Sequence, residues 1–128
     1  MPNVSRTSAS IFSDMGPAEE YTEHLDDTTV QFVSIKEDSD LAPMLVGLPD
    51  DKCQCHHWGY VLSGEMTVTY ADHVEVLTGG DAFYMPPGHT PKASAGAEFV
   101  IFTPKDEMAA LEAHFADVMQ RMQAAETK

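Results

Sequence analysis

Four side chains able to hold a metal ion fall within five residues in the run Cys53-Gln54-Cys55-His56-His57. Successive residues of a β-strand point to opposite faces, so Cys53, Cys55 and His57 would share one face and Gln54, His56 and Trp58 the other. Thiolates are soft donors and imidazole is borderline, a combination that zinc favours. A second stretch, Gly79-Gly80-Asp81-Ala82-Phe83-Tyr84-Met85-Pro86-Pro87-Gly88-His89, reads as a turn, a short apolar strand and a Pro-Pro-Gly turn presenting His89. If His89 faces the three donors of the first stretch, the set becomes Cys53, Cys55, His57 and His89. The plainer alternative is that the cysteines are small buried hydrophobes and that His89 caps a turn.

Both cysteines lie in one short run. At strand rise their Cα atoms would stand about 6.5–7 Å apart, at or beyond the reach of an unstrained disulfide. They are expected to be reduced thiols or metal ligands. His56, on the opposite face, is expected to be exposed or packed between strands. His73, His24 and His114 read as solvated.

The elements that must position these donors are short strands. Thr28–Ile35 carries Val30, Phe32 and Ser34 on one face; Leu41–Gly47 reads as a strand interrupted by Pro43 and therefore at a sheet edge. A third strand follows the Cys/His run and stops at Ser63-Gly64. Residues 66–70 and 74–77 form a hairpin around Ala71-Asp72-His73. Ala82–Met85 and Glu98–Phe102 complete the series, separated by the small, polar residues 92–97. Short strands at regular spacing with Gly or Pro turns indicate an all-β sandwich or small barrel.

The two stretches resemble the signature motifs of the cupin superfamily. The first cupin motif is His-x-His, three or four residues, Glu, six residues, Gly. Gly64 matches its closing glycine, and His57 then stands at the glutamate position. Strict counting puts Asp51 and Cys53 at the two histidine positions, which makes Asp51, Cys53 and His57 a competing ligand set. The second motif is Gly, five residues, Pro-x-Gly, two residues, His. Gly80, Pro86 and Gly88 match, while its histidine position falls on Pro91 and His89 comes two residues early. The resemblance spans roughly residues 45–103. It implies a cupin-type antiparallel β-barrel (a jelly roll) over 28–103, after an N-terminal arm at 1–27 and before a C-terminal helix at 104–124. It also implies a divalent metal, zinc from this donor set, and a barrel pocket for a small molecule. Asp51, Gly59, Val61 and either Phe83 or Tyr84, depending on register, would line that pocket.

Pro17–Tyr21 could open a helical turn within the arm. In the C-terminal helix Met108, Leu111, Phe115, Val118, Met119 and Met122 recur at three and four residues, a stripe expected to pack on the outside of the barrel or on a second copy.

A chain of 128 residues makes one domain, and its formal net charge of −14 argues against nucleic acid and anionic membrane surfaces as partners. No apolar run reaches the ~20 residues needed to cross a bilayer. Met1–Ser10 carries no signal-like apolar segment, which points to the cytoplasm. A homodimer is expected, formed by Thr28–Ile35 adding to a neighbour's sheet. Three functions remain open: a metal-dependent cupin enzyme with no nameable catalytic residue, a cupin that binds a small ligand, and a barrel with a purely structural zinc.

Overall fold

The computed structural model describes residues 3–126. Ten strands form two antiparallel sheets. They are β1 (Ile11–Asp14), β2 (Ala18–Leu25), β3 (Thr28–Ile35), β4 (Ser39–Asp40), β5 (His57–Ser63), β6 (Glu65–Thr69), β7 (Val74–Thr78), β8 (Ala82–Met85), β9 (Thr90–Ala93) and β10 (Glu98–Pro104). The larger sheet runs β1-β2-β3-β10-β5-β8 and the smaller β4-β9-β6-β7. A one-turn helix α1 (Ala42–Leu45) and a long helix α2 (Lys105–Glu126) are the α-helical elements of the described residues.

Between the sheets lies a core of Val33, Ile35, Val61, Met66, Val68, Tyr70, Phe83, Met85, Ala93, Ala97 and Phe99. Strands β3, β6 and β8 each contribute alternate residues to it, as a two-faced sheet requires. On β3 the core takes Val33 and Ile35, while Val30 and Phe32 stand on the opposite face. The barrel interior is therefore occupied by side chains along most of its length.

Gly64 joins β5 to β6 at φ +79°, and a Cβ there would stand 2.5 Å from the Ala97 Cα. Both the left-handed backbone and the backbone neighbour forbid a side chain. Gly64→Ala is expected to cost about 1–2 kcal/mol for the conformation and about 1–3 kcal/mol for overpacking. The urea midpoint should fall with the slope unchanged; an unchanged midpoint would contradict this placement.

Several local expectations give way to tertiary pairing. Much of the N-terminal arm is sheet, because β2 pairs with β3 over its whole length and β1 with β2. The Pro17–Tyr21 turn is absent, since a ladder to β3 satisfies more backbone than one isolated helical turn would. Met1 and Pro2 of that arm lie outside the described residues. Residues 41–47 are not a strand: Pro43 sits in the first turn of α1, where its missing N–H costs nothing. Lys92 and Ala93, read as part of the polar connection 92–97, belong to β9 (Thr90–Ala93), which pairs with β6. Thr28–Ile35 is flanked by β2 and β10 and has no free edge to offer a neighbour.

Helix α2 packs on the barrel at one end. Met108 and Leu111 pack with Leu45 of α1 and with Cys53 and Cys55, and Leu41, Leu48 and Phe115 surround them. The helix thus covers the end of the barrel where the cysteines sit. Its apolar stripe stops at Val118, for Met119 and Met122 are 47% and 43% exposed. His114 is not solvated, because its Nε2 is buried without a partner. Among the described residues no helix is long and apolar enough to cross a membrane.

Candidate metal centre

Strand β5 begins at His57, so the segment 53–56 is an irregular lead-in, not strand. The alternation survives nonetheless. Cys53, Cys55 and His57 are 1%, 5% and 7% exposed, while Gln54 and His56 are half-buried and Trp58 is exposed. Their donor atoms all lie within 4.8 Å of one another. Cys53 Sγ stands 3.7 Å from His57 Nε2.

His89 is brought to them by backbone. The N–H of Cys53 donates to the His89 carbonyl at 2.9 Å, and the N–H of Gly88 donates back to the Cys53 carbonyl at 2.8 Å. Gly88, at φ +95°, supplies the left-handed step that turns the chain after Pro86-Pro87. The rings of His57 and His89 are 5.1 Å apart at 61°.

Each imidazole has its other nitrogen engaged. His57 Nδ1 is 2.7 Å from Thr103 Oγ1, and Thr103 is fully buried at the end of β10. His89 Nδ1 is 2.7 Å from the Pro86 carbonyl. A carbonyl can only accept, so Nδ1 of His89 carries the proton and Nε2 keeps its lone pair. That Nε2 is buried and has no hydrogen-bond partner. An orphaned buried acceptor costs about 1–3 kcal/mol unless something fills it. A cation beside it would do so, and the engaged Nδ1 is the usual outer-shell support for a ligating histidine.

The two thiols are driven apart in acidity. Cys53 is held far below the ordinary thiol range, first by the Cys55 thiol beside it and then by the His57 and His89 imidazoles, against the cost of burial. Cys55 is pushed up, first by Cys53, then by burial and the Glu107 carboxylate. The two shifts run in opposite directions, Cys53 toward the thiolate and Cys55 toward the thiol. No disulfide joins them.

Two supporting residues were not evident in the sequence. Thr103 is one; it follows Phe99 and Ile101 on the inward side of β10, so period-two counting past Phe102 would have reached it. Glu107 is the other. Its backbone carbonyl is 3.5 Å from Cys55 Sγ, and its carboxylate accepts the His56 N–H at 2.7 Å and faces His56 Nδ1 at 3.0 Å. It belongs to α2, and no local pattern links it to the Cys/His run.

The pocket residues fare differently. Val61 and Phe83 are buried in the filled core. Gly59 lies against them, where a Cβ would come 2.4 Å from Phe83 Cζ and 2.3 Å from the Val100 carbonyl oxygen. Tyr84 points outward and is 43% exposed, so the register selects Phe83. Asp51 is exposed, with its carboxylate turned to the Gly47 N–H at 3.0 Å. It stands apart from the group that Cys53, Cys55 and His57 form, and a shallow surface depression runs past it to Asp72 and Gly88.

Two thiols and two Nε2-directed imidazoles fit zinc by donor type and number. Thr103→Val should leave the His57 ring without its anchor and raise the zinc dissociation constant about 10–100-fold in a chelator competition. Thr103→Ser should restore it. Equal affinity in all three would remove Thr103 from this role.

Residues 53–101, which contain all four donors, match the family model of the Cupin domain. Among solved structures, the chain is similar to an RmlC-like cupin from Shewanella frigidimarina, at 18% identity and TM-score 0.54, covering 74% of this chain and 83% of that one. It is also similar to the polyketide cyclase RemF from Streptomyces resistomycificus, at 16% identity and TM-score 0.59, covering 82% and 80%. A third similar structure is KdgF from Halomonas sp., at 20% identity and TM-score 0.52, covering 73% and 86%. No curated protein matches the chain in sequence. Residues 53–101 thus match the Cupin domain model, and the chain shares the fold of these solved structures.

Proposed function

We propose that this cupin domain is a metal-binding protein that holds one zinc ion on Cys53, Cys55, His57 and His89. The observation that carries the reading is the buried, unpartnered Nε2 of His89, aimed with its proton already committed to the Pro86 carbonyl. Beside it stand three further donors within 4.8 Å of one another. Four protein donors leave no position for substrate, and the core beneath is filled with side chains. A zinc ion here would tie the 53–57 segment to the 86–89 turn, a structural role.

A second reading is favoured by one feature: Cys53, Cys55 and His57 form the tight group, and His89 is not counted within it. Three protein ligands would leave one position for a small molecule, with zinc acting as a Lewis acid when bound. Substrate would then have to reach the centre past Met108 and Leu111 of α2. The similar structures include a protein named as a polyketide cyclase, but identity this low carries the fold and not the activity.

Zinc content of the purified protein beside Cys55→Ser tests the shared core of both readings. One equivalent retained by the wild type and none by the variant supports it. Equal metal in the two proteins would end it.

A further inference from the structure

The two sulfur donors of the proposed centre have a second chemistry open to them. Cys53 and Cys55 are the two cysteines of the chain, and their sulfurs lie in the group within 4.8 Å that His57 completes. An S–S bond is ~2.05 Å long, so less than about 3 Å separates the pair from bonding distance. Strand spacing would hold two such cysteines at or beyond the reach of a disulfide. Residues 53–56 are irregular and regular pairing begins at His57, so strand spacing does not bind them. Only Gln54 would lie inside the ring, and its side-chain amide is tied outside it, to the Pro49 and Lys52 carbonyls.

We propose, with zinc on the four donors as the starting state, that Cys53 and Cys55 form a redox switch on the centre: hydrogen peroxide joins them in a disulfide and the metal is released. One thiolate attacks a peroxide oxygen; the O–O bond breaks, an S–O bond forms, and hydroxide leaves to be protonated to water. The second thiolate attacks the oxidised sulfur; the S–S bond forms, the S–O bond breaks, and the departing hydroxide is protonated to a second water. The two sulfurs lose two electrons between them and one peroxide gains them. No other thiol in the chain competes for the sulfenic acid. His57 and His89 remain, and a disulfide supplies no thiolate to complete a shell.

The centre is closed but not sealed. Cys53 and Cys55 are 1% and 5% exposed, under Met108 and Leu111 of α2. Peroxide is little larger than water, so a local opening of that helix admits it. Opening is limited by the Glu107 carboxylate, which accepts the His56 N–H at 2.7 Å. A disulfide spanning a single residue is strained, and strained disulfides are the readily reduced ones. A dithiol therefore resets the switch.

The wild type itself is the test material, so the folding of a variant is not at issue. Zinc-loaded and zinc-stripped protein are treated with hydrogen peroxide beside a colorimetric zinc indicator, then alkylated and cut with trypsin. Cleavage at Lys52 leaves both cysteines in one peptide, 53–92, whose mass reports a disulfide, two alkylated thiols or added oxygen. Zinc release should match disulfide formation mole for mole. The oxidised protein should lose more zinc affinity than the ~10–100-fold that goes with an outer-shell partner, because two ligands go at once. Dithiothreitol should restore both thiols and full zinc binding. Two alkylated thiols after excess peroxide, sulfinic acid in place of the disulfide, or no recovery with dithiothreitol each overturns the switch. A wild type that takes up no zinc ends the metal reading and the switch together, whereas zinc taken up and kept by the disulfide form ends the switch alone.

Discussion

His89→Ala is expected to lower zinc affinity by more than the ~10–100-fold typical of losing an outer-shell partner, because it deletes a ligand outright. The remaining donors, Cys53, Cys55 and His57, still lie within 4.8 Å of one another, so weak binding should persist where Cys55→Ser abolishes it. The same substitution removes a buried nitrogen that has no hydrogen-bond partner among the protein's own groups. Its cost without zinc is then the cavity and the lost hydrogen bond to the Pro86 carbonyl, and its cost with zinc adds the lost ligand. Chelator competition and thermal melting, each with and without zinc, separate the two. A variant that binds zinc as tightly as the wild type would place His89 outside the coordination shell and favour the three-ligand reading.

Zinc itself should be the largest single contribution to stability. A ligand that binds only the folded state at 1,000 times its dissociation constant stabilises by about 4.1 kcal/mol. For a domain of this size each kcal/mol shifts Tm by roughly 3–6 °C, so loaded protein should melt about 12–25 °C above protein stripped with a chelator. The pH dependence follows from the thiols. Both must bind as thiolates, and the neighbouring Cys53 together with burial holds the Cys55 proton on. Zinc must displace that proton, so lower pH favours the metal-free form by about tenfold in affinity per unit for one proton released. The stabilisation by zinc should therefore grow as pH rises from 6 to 8. Differential scanning calorimetry across that range checks it; a zinc-independent Tm would contradict the site.

The sequence carried the barrel and the grouping of Cys53, Cys55 and His57 well, and failed where partners come from afar. Alternation through Cys53, Cys55 and His57 predicts a shared face, and burial follows that alternation even though regular strand begins only at His57. Pro86, Gly88 and His89 were legible because a turn is local chemistry. The N-terminal arm was not, since β1 and β2 are made by pairing to β3 and their acidic residues resemble a helix start. Asp51 was favoured by motif counting, yet the backbone at φ +55° turns it to the surface. Tyr84 and Phe83 could not be separated without knowing which residue opposes Gly59, and it is Phe83. Helix α2 was expected from its apolar period, but a period says which side is apolar and not what it meets. That it closes over the cysteines through Met108, Leu111 and Glu107 needed the tertiary structure.

Zinc K-edge X-ray absorption on protein loaded with one equivalent of zinc tests the central assignment most directly. Four protein ligands predict two sulfur scatterers at about 2.3 Å and two nitrogens at about 2.0–2.1 Å, with the imidazole outer-shell pattern of two histidines. A shell of oxygen and nitrogen without sulfur, or one with a single sulfur, would contradict it.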